Sequence, residues 1–338
     1  MRILIIGLGS MGKRRAGNLL GLSRVTEVRG WDPREDRRQE AEAQRGITTF
    51  VELDQAYDWK PDAIVISTPP NYHTIYAKQA ATLKIPFFVE ASVLDDGLDE
   101  VVGILNDNHA LGVPSCTMRF HPDVQAMKRL IEDGALGDPT NRIGFTYHMG
   151  QYLPDWHPNE DYRKFYVGQK ETSAAREMVC FEAVWMSWLI GLPKQVMAQR
   201  SKLTDLDADI DDIYQLLTVH ETGAMGSTMI DVIARHPYRH LRLLSEDGII
   251  EWSALDKSLK YFDGKTKSWS QIGDGDKTGY SGGNFTGEEM YVKEMDAFLD
   301  VAEGNRAAFP YSFEDDIRVL SYLRAAETSD DTGRLVKL

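Results

Sequence analysis

The sequence predicts an α/β protein in two successive parts: a parallel sheet clothed by helices, then an α/β part with a mostly antiparallel sheet. Three observations predict it. The first third alternates short apolar strands with amphipathic helices. The remainder runs through seven strand-like segments, several joined by turns such as "HETG" and "SEDG". The chain also opens on an apolar strand that feeds a glycine-rich turn. Alternating strands and helices imply parallel pairing with helices on both faces, and strands linked by tight turns imply antiparallel pairing.

The opening "RILIIGLGSMGKRR" reads as strand, turn and helix start. Gly7, Gly9 and Gly12 fit G-x-G-x-x-G, with Ser10 and Met11 inside the turn. The first glycine permits positive φ, the second lets a pyrophosphate approach the backbone, and the third lets the helix pack against the sheet. The phosphates then sit on the free N–H groups of the helix N-terminus. "VTEVRGWD" supplies a second strand that ends in Asp32, 20 positions after Gly12. An acid at that distance reaches the adenosine ribose hydroxyls. This favours NAD, with NADP possible, because Arg34 and Arg37 follow closely. Either arginine could lean over the adenine or pair with a 2′-phosphate.

"DAIVIS" (62–67) is the next strand, "TPPNYHTIYAKQAATLK" a loop and helix, "IPFFVEA" a strand, "DDGLDEVVGILNDNHA" a helix, and "VPSCTMRF" a further strand. Ligands bind outside the carboxyl ends of such strands. The residues to inspect are therefore Gly7 to Gly12, Asp32, Thr68 to His73, Glu90 to Ser92, and Arg119 to His121. From "DVQAMKRLIEDGALGDP" the rhythm changes. An amphipathic helix ends at Gly134 or Gly137, and the run of strands follows, interrupted by a helix over "REMVCFEAVWMSWLIG". Two helices near 287–303 and 313–329 close the chain, and 273–284 reads as a surface loop. The expected division is a dinucleotide-binding domain over 1–120 and a substrate-binding and oligomerisation domain over 121–338.

The net charge of −14 disfavours nonspecific nucleic-acid binding, which needs Lys and Arg to displace counterions, and disfavours an anionic membrane surface. No apolar run is long enough to span a bilayer, and the opening lacks a signal peptide's extended apolar core. Cys116 and Cys180 give neither a disulfide framework nor a zinc spacing, so the expected location is the cytoplasm. No metal site is expected. "TDLDADIDDIY" is rich in aspartate, but a calcium loop counted from Asp205 would need Gly and Glu where Ile210 and Leu216 stand. His236 and His240 are spaced for a helical metal site, yet their stretch reads as loop and strand.

"STPPNYHTIYAKQAATLKIPFFVEAS", "TMRFHPDVQAMKRLIEDGALGDP", the "LGSMG" start and the closing "YVKEMDAFLDVAEGN" and "FEDDIRVLSYLRAAETSDDTGRLVKL" together resemble the Gfo/Idh/MocA oxidoreductases, over essentially the whole chain. The resemblance implies a Rossmann domain and an α/β domain whose open sheet forms homodimers or homotetramers. It also implies NAD(P)-dependent oxidation or reduction of a secondary alcohol or ketone on a sugar, cyclitol or nucleotide sugar. Thr68, Pro69, Asn71 and His73 would line the cofactor, and Glu90 and Ala91 would sit beside its nicotinamide end.

Two departures from the family pattern stand out. Where the family has Glu-Lys-Pro, this chain has Glu90-Ala91-Ser92, so the lysine that serves in acid–base chemistry or orientation is absent. In "TSAAREMVCFEAVW", Glu177 stands for the family's aspartate, and Cys180 or Phe181 occupies its histidine position. A positioned base contributes about 10²–10⁴-fold, so other groups must take over. Glu177 is the leading candidate, with His157 and Tyr162 in "QYLPDWHPNEDYRKFY" as alternatives. Tyr152, Arg163, Lys164 and Arg119 are candidate contacts for a polar or anionic substrate. The alternative function is a non-catalytic, dinucleotide-binding regulatory or ligand-sensing member of the family.

Overall fold

A computed structural model describes residues 1–138, 142–156, 161–273, 280–281, 284–285 and 287–338. They form two compact units: Met1–Thr117 with Tyr291–Ile317, and Met118–Met290 with Arg318–Leu338.

The first unit runs β1 (Arg2–Ile6), α1 (Ser10–Leu20), β2 (Glu27–Trp31), α2 (Glu35–Arg45), β3 (Thr48–Phe50), α3 (Leu53–Asp58), β4 (Ala63–Ile66), α4 (His73–Thr82), β5 (Phe87–Val89), α5 (Leu98–Asn108) and β6 (Gly112–Pro114). The strands pair in the order β3-β2-β1-β4-β5-β6, all parallel. Ile3 to Ile6 and Ala63 to Ile66 are fully buried, as continuous apolar runs must be in a sheet covered on both faces. The strand order reverses between β1 and β4, which opens a crevice at their carboxyl ends. The strand expected over "VPSCTMRF" stops at Pro114, and Thr117–Phe120 form a 3-10 turn instead.

The second unit contains α6 (Pro122–Glu132), β7 (Gly144–Tyr152), α7 (Ala174–Ile190), β8 (Pro193–Ser201), β9 (Ile213–His220), β10 (Met225–Asp231), β11 (Ile233–Leu244), β12 (Gly248–Ser253), β13 (Ser258–Asp263) and β14 (Ser268–Gln271). Next in chain order are α8 (Glu289–Ala302), almost all of it in the first unit, α9 (Phe313–Thr332), which passes from the first unit to the second at Arg318, and a last strand of the second, Val336–Lys337. The sheet order is β14-β13-β12-β11-β7-β10-β9-β8 and the last strand. Its pairs are antiparallel except β7 with β10. Residues alternate as one covered and one open face require. Tyr147, Tyr214, Leu216, Ile230 and Leu241 are buried on the covered face, while Met197, Leu217 and Tyr238 are exposed on the other.

A buried polar network ties α7 to this sheet. The Glu182 carboxylate accepts from the Tyr147 hydroxyl at 2.5 Å, from Trp185 Nε1 at 2.6 Å and from Arg239 at 2.6 Å. Each partner of the buried charge is itself buried, so the network also fixes which turn of α7 meets β7 and β11. Gly191, at φ +82°, ends α7 in a conformation that side chains rarely adopt.

The units differ from the expected division at 120 in that the break falls after Thr117 and Tyr291–Ile317 belongs to the first unit. α8 explains why. Glu294 and Phe298, spaced i, i+4, are both fully buried, and Phe298 packs on Phe88 of β5 with ring centroids 5.9 Å apart. Among the described residues no helix is long and apolar enough to cross a membrane, and no cluster of His, Cys, Asp and Glu could hold a metal. Most of the loop expected over 273–284 lies outside the described residues.

Candidate functional site

The glycine-rich turn is built for close approach. Gly7 sits at φ +92°, and a Cβ there would lie 2.7 Å from the Ser67 carbonyl oxygen. A Cβ on Gly12 would lie 1.9 Å from the Gly7 carbonyl oxygen, so only glycine lets α1 start against β1. Ser10 opens α1, with Met11 next, after an extended Gly9. Asp32 is buried at the end of β2. One of its oxygens accepts the Leu8 N–H at 2.8 Å and the other the Arg34 N–H at 2.9 Å. This ties the β2 end to the turn and orients the carboxylate. Arg34 is exposed and forked onto Asp36, with its Nε and Nη2 on the two carboxylate oxygens.

At the end of β4, Pro69 and the exposed Asn71 lead into α4, and His73 starts that helix fully buried. His73 Nε2 donates to the Thr68 carbonyl at 2.8 Å, which leaves Nδ1 as an acceptor. Burial pushes its pKa down to about 4, so the ring is neutral at neutral pH. His73 Nδ1 and Thr68 Oγ1 are both buried with no hydrogen-bond partner in the structure. Buried polar atoms are rarely left so. Two at the carboxyl end of one central strand mark a place where a polar ligand completes the bonding.

Glu90 directly follows β5 and is clamped by Arg15. Arg15 Nε donates to one carboxylate oxygen at 2.7 Å and Nη2 to the other at 2.9 Å. Arg15, fully buried on α1, also pairs with Glu294 of α8 at 2.8 Å and lies over the Phe88 and Tyr291 rings. Glu294 accepts further bonds from Ser115 Oγ, the Cys116 N–H and Thr117 Oγ1. Those bonds turn the chain away from β6 and account for the early end of that strand. Burial alone would lower the Arg15 pKa, but the two carboxylates outweigh it and hold it above its ordinary value. Burial pushes the Glu294 carboxyl upward against the pull of Arg15. Ala91 and Ser92 follow, and Ser92 Oγ closes a local turn with Leu94. Nothing ionisable stands at the lysine position.

In the second unit, Glu177 lies half-buried in the first turn of α7, where a negative charge suits the helix dipole. The Tyr166 hydroxyl donates to it at 3.3 Å. Arg176 turns instead to Glu327, at 2.6 Å. Phe181 is half-buried one turn later on α7.

Several expected contacts are placed differently. Tyr162 was expected near the chemistry, but its hydroxyl accepts the Asp207 N–H. Arg163 is forked onto Asp161 and Asp207, and Lys164 is exposed beside Asp161. These residues pin the 161–164 turn to the aspartate-rich loop at Asp207. Arg119 is buried, with Nε and Nη2 donating to the Val184 carbonyl of α7, so its guanidinium packs against a helix. His121 caps α6 through the Asp123 N–H and packs edge-on to Trp252. The Tyr152 ring carries the Arg235 guanidinium at 3.7 Å. His157 lies outside the described residues. Arg15, Glu294 and Tyr166 were not anticipated. A glutamate between Met290 and Phe298 on one apolar helical face was the available signal that a buried cation must be near.

A parallel sheet with this glycine turn and an acid ending its second strand is the arrangement that binds dinucleotides. Residues 1–93 match the model of the oxidoreductase family with an NAD-binding Rossmann fold, and residues 124–251 match the Gfo/Idh/MocA C-terminal domain. The chain belongs to the Gfo/Idh/MocA oxidoreductase family. Its first unit is the family's NAD-binding Rossmann domain, and its second carries the family's mostly antiparallel sheet.

Solved structures of similar fold span the same length. A levoglucosan dehydrogenase in complex with NADH and levoglucosan is 19% identical, with TM-score 0.83 over 100% of this chain and 99% of that one. An oxidoreductase from Agrobacterium radiobacter in complex with NAD+, L-tartaric acid and magnesium is 14% identical, with TM-score 0.84 over 100% and 98%. A myo-inositol dehydrogenase from Corynebacterium glutamicum is 16% identical, with TM-score 0.79 over 100% and 98%. These likenesses show the shared fold. No curated protein matches the sequence significantly.

Proposed function

We propose that this Gfo/Idh/MocA member is an NAD-dependent dehydrogenase or reductase of a secondary alcohol or ketone on a sugar, cyclitol or nucleotide sugar, with an altered acid–base set. The observation that carries the reading is the intact cofactor end of the Rossmann sheet. Asp32 is oriented, Glu90 is clamped, and Thr68 Oγ1 and His73 Nδ1 are two buried polar atoms that lack partners. The substrate class is supported by the levoglucosan and myo-inositol dehydrogenases that share the fold.

The residues present fit the cofactor. Gly7, Gly9, Ser10, Met11 and Gly12 would hold its pyrophosphate, and Asp32 its adenosine ribose. Thr68, Pro69, Asn71, His73, Glu90 and Ala91 would line the nicotinamide half. When bound, the nicotinamide supplies or accepts the hydride. The chain must then move one proton at the substrate oxygen. We assign that to the Glu177 carboxylate, which takes the hydroxyl proton in oxidation and returns it in reduction. Tyr166 holds Glu177 in place through the bond it donates. Tyr152, on a strand end of the second unit, would face a sugar ring through its aromatic surface. The open face of the second sheet, with Met197, Leu217 and Tyr238 exposed, would join copies of the chain into a homodimer or homotetramer.

Purified protein should bind NADH, and screening sugars and cyclitols with NAD should give NADH formation that Glu177→Gln lowers by about 10²–10⁴-fold. Full activity in Glu177→Gln would sink the assignment of the base. Ala91 and Phe181 favour one second reading, a non-catalytic member that senses a ligand while holding the dinucleotide. Firm NADH binding with no turnover on any sugar or cyclitol would select it. Ala91→Lys then separates a decayed site, which gains turnover, from a rebuilt one, which does not.

A further inference from the structure

The cations expected to hold an anionic substrate are engaged elsewhere: Arg119 with the Val184 carbonyl, Arg163 with Asp161 and Asp207, and Lys164 beside Asp161. Arg235 is not. Its exposed guanidinium lies 3.7 Å from the centre of the Tyr152 ring, and among the described residues no carboxylate pairs with it. Asp155, the acid of the turn after Tyr152, is exposed and makes no ion pair with Arg235. A guanidinium resting on a tyrosine ring is attracted by the ring and keeps its N–H groups for an acceptor. In a chain of net charge −14, a cation that is not neutralised is what an anionic substrate needs.

The local fold builds this placement. β11 and β7 pair Ile233 with Tyr152 and Tyr238 with Gly150, so residues 234–237 bulge out of the ladder. Asp231, buried at the end of β10, anchors the bulge. One of its oxygens accepts the Ile233 N–H at 3.1 Å and the Ala234 N–H at 2.9 Å, and the other meets His148 Nε2 at 2.7 Å. Gly150 leaves room for it, since a Cβ there would lie 2.7 Å from the Asp231 carboxylate and 2.9 Å from the Ala234 side chain. Pro237 suits a bulge because it has no N–H to offer the ladder. A bulge re-aims a side chain, here Arg235 onto the ring that ends β7. We propose that Arg235 is a specificity-determining residue that pairs with an oxyanion, a carboxylate or a phosphate, on the substrate. Guanidinium and oxyanion match in two-pronged geometry as well as in charge. The substrate class then narrows from sugars in general to acidic ones, either sugar acids or nucleotide sugars. This rests on the dehydrogenase reading, with Tyr152 as its substrate contact, and adds to it a requirement for charge.

The test is binding to the full chain in the presence of NADH, read by isothermal titration, with D-glucose, D-glucuronate, glucose 1-phosphate and UDP-glucose as probes. Wild-type protein should bind at least one acidic probe about tenfold or more tighter than glucose, and rising salt should narrow that gap. Preference for glucuronate selects a sugar acid, and preference for the two phosphate probes selects a nucleotide sugar. Arg235→Ala should weaken the preferred probe by about 10- to 100-fold and leave glucose unchanged, and Arg235→Lys should recover part of the loss. Where that probe is turned over with NAD, Arg235→Ala should raise KM and leave kcat nearly unchanged, because the contact is made equally in the ground and transition states. Arg235 is exposed, so the urea midpoint should not move. Equal binding of acidic and neutral probes, no binding of any acidic probe, or a preference that survives Arg235→Ala would overturn the subsite, while NADH binding leaves the cofactor assignment standing. Failure to bind NADH would remove the reading on which it rests.

Discussion

Replacing Arg15 by Met tests the buried cluster under Glu90. The substitution keeps an unbranched side chain but removes the guanidinium that pairs with both carboxylates. Glu294 is fully buried, and Glu90 lies close enough to push its pKa upward. Removing one partner of a buried ion pair costs about 3–5 kcal/mol, because the remaining charge is left without compensation. Against a total stability of about 5–15 kcal/mol, that is a large fraction. The loss should depend on pH. An acid whose folded pKa is raised binds its proton more tightly when folded, so its stabilising effect is present at low pH and is lost as pH rises. Without Arg15, protonating Glu294 removes an unpaired charge, and the deficit should shrink on acidification. The assay is urea unfolding at several pH values, with amide exchange at β1, β4 and β5 reporting on the first unit. A loss below about 1 kcal/mol at neutral pH, or one that is the same at every pH, would refute the account.

Four further outcomes follow from the same structure. Asp316 is buried beside the Tyr311 hydroxyl, and burial raises its pKa to about 7 from 3.8. Folding stability should therefore fall by about 4 kcal/mol as pH rises from about 4 to 7, and Asp316→Asn should flatten that slope in pH-dependent melting. His73 has the opposite sign. Its folded pKa of about 4 lies below 6.5, so stability should be lost on acidification between those values, by about 3 kcal/mol, and His73→Asn should reduce this loss. Tyr166→Phe removes the bond to Glu177, and the pH dependence of kcat/KM should shift while NADH affinity stays unchanged; an unmoved profile would separate Tyr166 from the chemistry. Leu217→Asp, at an exposed position on the open sheet face, should lower the mass measured by light scattering if that face joins copies of the chain.

Much of the architecture is legible along the chain because it rests on local periodicity. Fully apolar runs at 3–6 and 63–66, short and followed by turn residues, read as doubly covered strands. The β-branched and apolar run "IYQLLTVH" before a turn reads as a strand, and the glycine turn with Asp32 twenty positions on is a short-range pattern. Ala91 and Phe181 are likewise readable as departures from a motif. The tertiary structure decided where the charges went. Arg15, Glu90 and Glu294 come from segments far apart in sequence, and only the return of α8 to the first unit makes them one cluster. By residue type Arg119 and Arg163 read as substrate contacts and Tyr162 as an acid–base candidate, yet each meets a partner that no local pattern announces. Of three arginines after Asp32, the sequence could not say which is held by a neighbouring acid and which by main-chain carbonyls; the fold pairs Arg34 with Asp36 and aims Arg38 at the Asp32 and Pro33 carbonyls. Strand and helix are set by the spacing of neighbours, whereas the role of a charged side chain is set by what the fold brings within a few ångströms of it.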